Sequence, residues 1–139
     1  MTRVFVSGCY DIIHGGHIVF FHQARAFGDH LTVCFASDEV YRAWKGREPA
    51  LPEDSRRAIL EELRCVDLVI MTEMAEPIWM DFAHIAYGAA NILVVTEDDA
   101  HGDKKRCWCV RHGIRFVQVP KQSRYARVST TEIRERIAK

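Results

Sequence analysis

The chain has 139 residues, the size of one domain, and 48% of them are apolar, enough for a substantial buried core. Its 19 basic and 19 acidic residues balance to a formal charge of zero, which excludes the overall basic field expected of a protein that coats nucleic acid or an anionic membrane. Any anion it binds must therefore be held locally.

The N-terminal "MTRVFVSGCYD" lacks the basic start and long apolar run of a secretory signal, and no apolar run reaches the length of a membrane span. The expectation is a cytoplasmic protein with no membrane insertion and no nucleic-acid partner. Cys9, Cys34, Cys65, Cys107 and Cys109 are odd in number and scattered through apolar segments, which reads as reduced thiols without a disulfide framework. Cys107 and Cys109 fall two apart within a predicted helix and so face different ways, which argues against a shared metal.

In chain order, Val4 to Val6 is a short buried strand, and Ile18 to Phe27 reads as a helix stopped by Gly28. Leu31 to Ala36 is the next strand. A polar stretch containing Lys45, Gly46 and Pro49 leads to "PEDSRRAILEEL", whose proline and leading acids are helix-starting chemistry. Asp67 to Met71 offers a third strand, Ile78 to Tyr87 a helix ended by Gly88, and "NILVVT" (Asn91 to Thr96) the strongest parallel-strand run in the chain. Asp103 to His112 is a helix ending at Gly113, Arg115 to Val119 a strand, and "VSTTEIRERI" a capped amphipathic helix. Alternation on this scale predicts an α/β fold, a Rossmann-like, doubly wound parallel sheet of five strands forming a single domain over residues 1–139.

Ligands in such folds sit beyond the carboxyl ends of the strands, where loops enter helix N-termini. The first such turn is "GCYDIIHGGH". Gly8, Gly15 and Gly16 let backbone approach a ligand, and His17 falls at the helix start, where free amides favour an anion. Two imidazoles around a glycine pair therefore mark a phosphate site. Neither G-x-x-x-x-G-K-[ST] nor G-x-G-x-x-G is present, so P-loop and dinucleotide-binding chemistry are not indicated.

"GCYDIIHGGH" resembles the H-x-G-H signature of the cytidylyltransferase-like nucleotidyltransferases, and "RYARVSTTEI" resembles their second signature, R-T-x-G-I-S-T-T. Intervening stretches, among them "AFGDHLTVCFASDE" and "SRRAILEELRCVDLVI", are similar to the small glycerol-3-phosphate and ethanolamine-phosphate enzymes of that group. The resemblance implies transfer of a nucleoside monophosphate, CMP from CTP in the leading reading, to a small phosphorylated acceptor with release of pyrophosphate. An acceptor phosphate is already nucleophilic at neutral pH, so alignment and charge stabilisation are what the protein must supply.

By that resemblance His14, His17, Lys45 and Arg124 act on the phosphates in the catalytic step. Gly8, Cys9, Tyr10, Asp11 and Gly16, with Ser129, Thr130 and Thr131 at the last helix cap, bind the nucleotide. Arg56, Asp38, Thr96 and Asp98 are assigned to the acceptor. Magnesium is implied as the triphosphate's companion rather than as a dedicated site, with Asp11 as the acid that orders the loop or the ion. A homodimer is implied as well, and Trp44, Trp79, Tyr41 and Tyr125 are aromatic candidates for an interface or for substrate walls.

The chain departs from the pattern at Tyr125, Arg127 and Thr96, the last standing where related enzymes have glycine. Related enzymes that load heptose phosphates share the H-x-G-H and an S-T-T near the last helix yet use ATP, so a sugar-phosphate adenylyltransferase is the alternative, with Arg124 leaning towards CTP. A non-catalytic nucleotide-binding regulatory module is the alternative of another class.

Overall fold

The computed structural model describes residues 1–73, 90–121 and 129–138. Five strands, β1 (Arg3–Gly8), β2 (His30–Ala36), β3 (Leu68–Thr72), β4 (Ile92–Thr96) and β5 (Arg115–Val119), form one sheet in the order β3-β2-β1-β4-β5. Every pairing is parallel. The helices are α1 (Gly15–Arg25), α2 (Asp38–Lys45), α3 (Glu53–Glu61), α4 (Gly102–His112) and α5 (Thr130–Ala138).

From β1 the chain steps outward to β2 and β3, then returns to the other side of β1 for β4 and β5. Right-handed crossovers running in opposite directions place their helices on opposite faces of the sheet. The core divides accordingly. Val4, Val6, Leu31, Val33 and Phe35 pack with Phe21 and Ala24 of α1 and Leu60 of α3. Phe5, Cys34 and Leu93 point the other way and pack with Trp108 and Cys109 of α4. Period-two alternation within β1 and β2 feeds both cores, which is why these strands read as continuous apolar runs.

All five predicted strands are present, with ends shifted by at most two residues. The first helix begins three residues earlier than predicted, with His14 as its N-cap. Leading into the polar stretch containing Lys45, Gly46 and Pro49, where the sequence predicts no helix, lies α2, capped by Ser37, whose hydroxyl accepts from the Val40 amide, and closed by Gly46 at φ 68°. That left-handed φ suits glycine at a helix end. The predicted helix Ile78 to Tyr87, like Trp79, Arg124, Tyr125 and Arg127, lies outside the described residues.

Candidate active site

The chain leaves β1 for one side of the sheet and β4 for the other, so the loops beyond these strands diverge and open a cleft. The cleft has a volume of about 570 Å³ and takes its walls from the loop after β1, α1, the end of α2, the loop after β4 and the start of α5. His14, His17, Lys45, Gly8, Cys9, Tyr10, Asp11, Gly16, Thr96, Asp98, Ser129, Thr130 and Thr131 all line it. Arg56 and Asp38 do not.

The two histidines explain the glycine pair. Nδ1 of His14 accepts from the Gly16 amide at 3.1 Å, and Nδ1 of His17 accepts from the His14 amide at 3.2 Å, a reciprocal capping box built from imidazoles. The ring centroids lie 4.0 Å apart. Because Nδ1 accepts in both rings, the neutral proton resides on Nε2, which is the donor each ring offers a ligand. Burial, with the neighbouring His14 as a lesser cause, lowers the His17 pKa from 6.5 to about 4. Burial and then Lys121 lower that of His14. Both rings are therefore neutral donors at pH 7, beside the free amides of a helix N-terminus.

Tyr10 holds this loop in place. It adopts φ 49°, uncommon for a residue other than glycine, and its buried ring stands edge-on to His17 and to Phe21. A Cβ on Gly8 would come within 2.9 Å of that ring. Gly8 thus makes room for Tyr10, where the sequence pointed to room for a ligand.

Asp11 is 2% exposed and fully engaged. Its Oδ1 accepts from the Leu51 amide, and its Oδ2 from the Ala50 amide, the Tyr41 hydroxyl and Arg134. Burial works to raise its pKa, but the two amides, Arg134 and Tyr41 outweigh it and hold the carboxyl below the usual carboxylate range. With both oxygens so engaged Asp11 orders loops. Among the described residues, no group of three His, Cys, Asp or Glu side chains could hold a metal ion.

Arg56 requires a correction. Its side chain is completely buried, and it donates to the carbonyls of Leu51, Cys9 and Ala36 and to Asp38 Oδ1. Four of its roughly five N–H groups are thereby used, leaving no free fork for an acceptor phosphate. Asp38 is its ion-pair partner at 2.7 Å and is likewise withdrawn from the cleft. Together they knot the ends of β1 and β2 to α3 from beneath.

At the opposite wall, Ser129 is the N-cap of α5, its hydroxyl accepting from the Glu132 amide at 3.1 Å, while Thr130 and Thr131 face the cleft. Asp98 stands at the rim, kept below its usual pKa chiefly by a hydrogen bond from Thr96, and 3.5 Å from Lys121. Lys45 is exposed on the α2 side. Two site residues escaped the sequence reading. Arg134, in α5, joins Asp11 at 2.6 Å and the Glu48 carbonyl at 3.2 Å across 123 and 86 residues of sequence. Lys105 forms a buried 2.7 Å ion pair with Asp99 at the cleft wall. The only available signal was helical phase: Arg134 lies three and four residues after Thr131 and Thr130, on the same face.

A family profile described as Cytidylyltransferase-like matches residues 5–136. The chain belongs to the cytidylyltransferase-like family. Its activity is of the nucleotidyltransferase kind. Among curated relatives, the FAD synthase of Pyrococcus horikoshii is 32% identical over 97% of this chain and 91% of its own length. The bifunctional protein HldE of Geotalea uraniireducens is 42% identical over 54% of this chain and 16% of its own. Among solved structures, a lipopolysaccharide core biosynthesis protein from Thermoplasma volcanium superposes with a TM-score of 0.74 at 28% identity, covering 88% of this chain and 99% of that one. Among the described residues no helix is long and apolar enough to cross a membrane.

Proposed function

We propose that this chain transfers an adenylyl group from ATP to a small acceptor bearing a phosphate monoester, releasing pyrophosphate. The observation that carries the reading is the pair of neutral imidazoles in the α1 capping box, both lining a cleft walled on its far side by Ser129, Thr130 and Thr131 at the start of α5. In-line displacement at the α-phosphate needs the two phosphates aligned and the added charge stabilised, and preorganised neutral donors serve that purpose without attracting bulk anions. The backbone fixes both rings before substrate arrives, so no reorganisation is spent in the transition state.

On this reading the α1 amides and the histidines hold the α- and β-phosphates, and Ser129, Thr130 and Thr131 the outer phosphates. Lys45 screens the approaching acceptor phosphate, and Arg124 contributes a further phosphate contact. Thr96 and Asp98 line the acceptor side. Magnesium enters with the triphosphate as part of the substrate. ATP is favoured as donor because FAD synthases match nearly the whole chain, and FAD carries an adenylyl group.

CTP is the second reading, supported by the family description. Pyrophosphate release with magnesium and either ATP or CTP, against FMN, glycerol 3-phosphate and hexose and heptose phosphates, separates them. ATP-dependent release accompanied by a product heavier than the acceptor by one adenylyl group is expected. Release with CTP alone would overturn the donor, and release with neither would overturn the activity.

A further inference from the structure

Trp44 and His101 are left over once the phosphate chemistry is assigned. Trp44 lies in the last turn of α2, and His101 immediately precedes α4. These helices follow β2 and β4, strands separated in the sheet by β1, so the two rings come from opposite halves of the fold and meet across the cleft. Their centroids are 5.3 Å apart with the planes inclined at 36°.

Both jaws are firmly mounted. The His101 amide donates to Asp99 Oδ1 at 2.7 Å, its carbonyl accepts from the Lys105 amide, and Asp99 is pinned by the buried Lys105 ammonium. On the other side, Tyr41 of α2 is tied to Asp11, which also holds the Ala50 and Leu51 amides beyond the helix. Phosphate binding alone has no use for a tryptophan facing a histidine in the wall of the cleft. Such rings stack on flat heteroaromatic groups.

We propose that Trp44 and His101 clamp a planar heteroaromatic ring carried by the acceptor, which makes the acceptor a ring-bearing phosphate monoester rather than a small polyol phosphate. This rests on the nucleotidyl-transfer reading above and names its acceptor class. A flat ring between two aromatic planes needs about 7 Å, twice a contact distance of about 3.5 Å. From a separation of 5.3 Å the jaws part by less than about 2 Å, a side-chain adjustment rather than a domain motion. The acceptor side is assigned because Lys45 and Arg47 adjoin Trp44 at the cleft, and among the described residues neither pairs with an acid. Ring and phosphate of one molecule would thus be read by consecutive parts of one segment.

The test compares FMN, which has a flat ring, with glycerol 3-phosphate, which has none, in wild type, Trp44→Ala, Trp44→Phe and His101→Ala. In Trp44→Ala the KM for FMN should rise about tenfold relative to that for glycerol 3-phosphate, equivalent to about 1.4 kcal/mol. Phenylalanine should restore most of the loss, and His101→Ala should fall between. Direct titration of FMN without nucleotide, read by quenching of its fluorescence, measures the same loss independently of turnover. Quenching that is lost in Trp44→Ala would support the clamp even if no donor released pyrophosphate, the result that would sink the transfer reading instead. Equal loss for both acceptors, or a rise in the KM for ATP with FMN unaffected, would overturn the clamp as an acceptor site while leaving the transfer reading intact.

Discussion

Replacing His17 by asparagine tests whether the capping box keeps a neutral imidazole in the folded protein. Asparagine can present an oxygen where Nδ1 accepts from the His14 amide, so the cap survives while the titrating group is removed. In the folded chain burial holds His17 at a pKa of about 4, against 6.5 for an exposed histidine. Between these values the unfolded chain binds a proton that the folded chain refuses. The stability tied to His17 is thus complete above about pH 6.5 and lost progressively as pH falls towards 4. Proton uptake by the unfolded chain alone removes about 2 kcal/mol of stability between pH 7 and pH 5.

Asp11 does not contribute in that window, because its pKa lies below the usual carboxylate value. Urea unfolding at pH 7 and pH 5 provides the assay. At a slope of about 2 kcal/mol per molar, the wild-type midpoint should fall by roughly 1 M more than that of His17→Asn. Equal midpoint shifts in the two proteins would refute the claim that the fold keeps this ring neutral.

Arg56→Met should lose about 3–5 kcal/mol of stability, measured by urea melts, because three strand-end and loop carbonyls and Asp38 lose their partner. A variant with unchanged stability and a raised acceptor KM would instead return Arg56 to the acceptor. Arg134→Gln should raise the KM for the nucleoside triphosphate about tenfold, with partial recovery in Arg134→Lys, since it ties the α5 cap to Asp11 and the Glu48 carbonyl. Unchanged kinetics would show that α5 is placed without it. Ser129→Ala should cost about 1 kcal/mol in the same melts through loss of the α5 cap, and no loss would mean that the hydroxyl serves only ligand.

The strands were legible because burial on both faces leaves β1, β2 and β4 nearly uninterrupted in apolar residues. Helix α2 was missed for the opposite reason. Only Val40 and Tyr41 of its eight residues are buried, and its apolar face, Val40 and Tyr41 with Trp44 one turn on, spans barely two turns, too short to stand out in a charged stretch although Ser37 and Gly46 are the start and stop signals such a helix carries. His14 and His17 could be found because cap, glycine pair and imidazoles are neighbours in sequence.

That Arg56 is buried rather than turned to an acceptor could not be read from "SRRAIL", since burial of its guanidinium depends on carbonyls contributed by residues as far away as Cys9. Arg134 was hidden by the same distance, its partner Asp11 being 123 residues earlier. Local chemistry could be read in the sequence. The long-range hydrogen bonds that fix the loops around it could not.

The most direct test of the central claim is the rate of ATP-dependent pyrophosphate release, with the acceptor that wild type uses best, in His14→Ala and His17→Ala. Each variant should remain folded by circular dichroism and lose about a hundredfold or more in turnover, the cost of removing one preorganised donor from a developing charge. A folded variant that turns over at close to the wild-type rate would contradict the assignment of the paired imidazoles to the reacting phosphates.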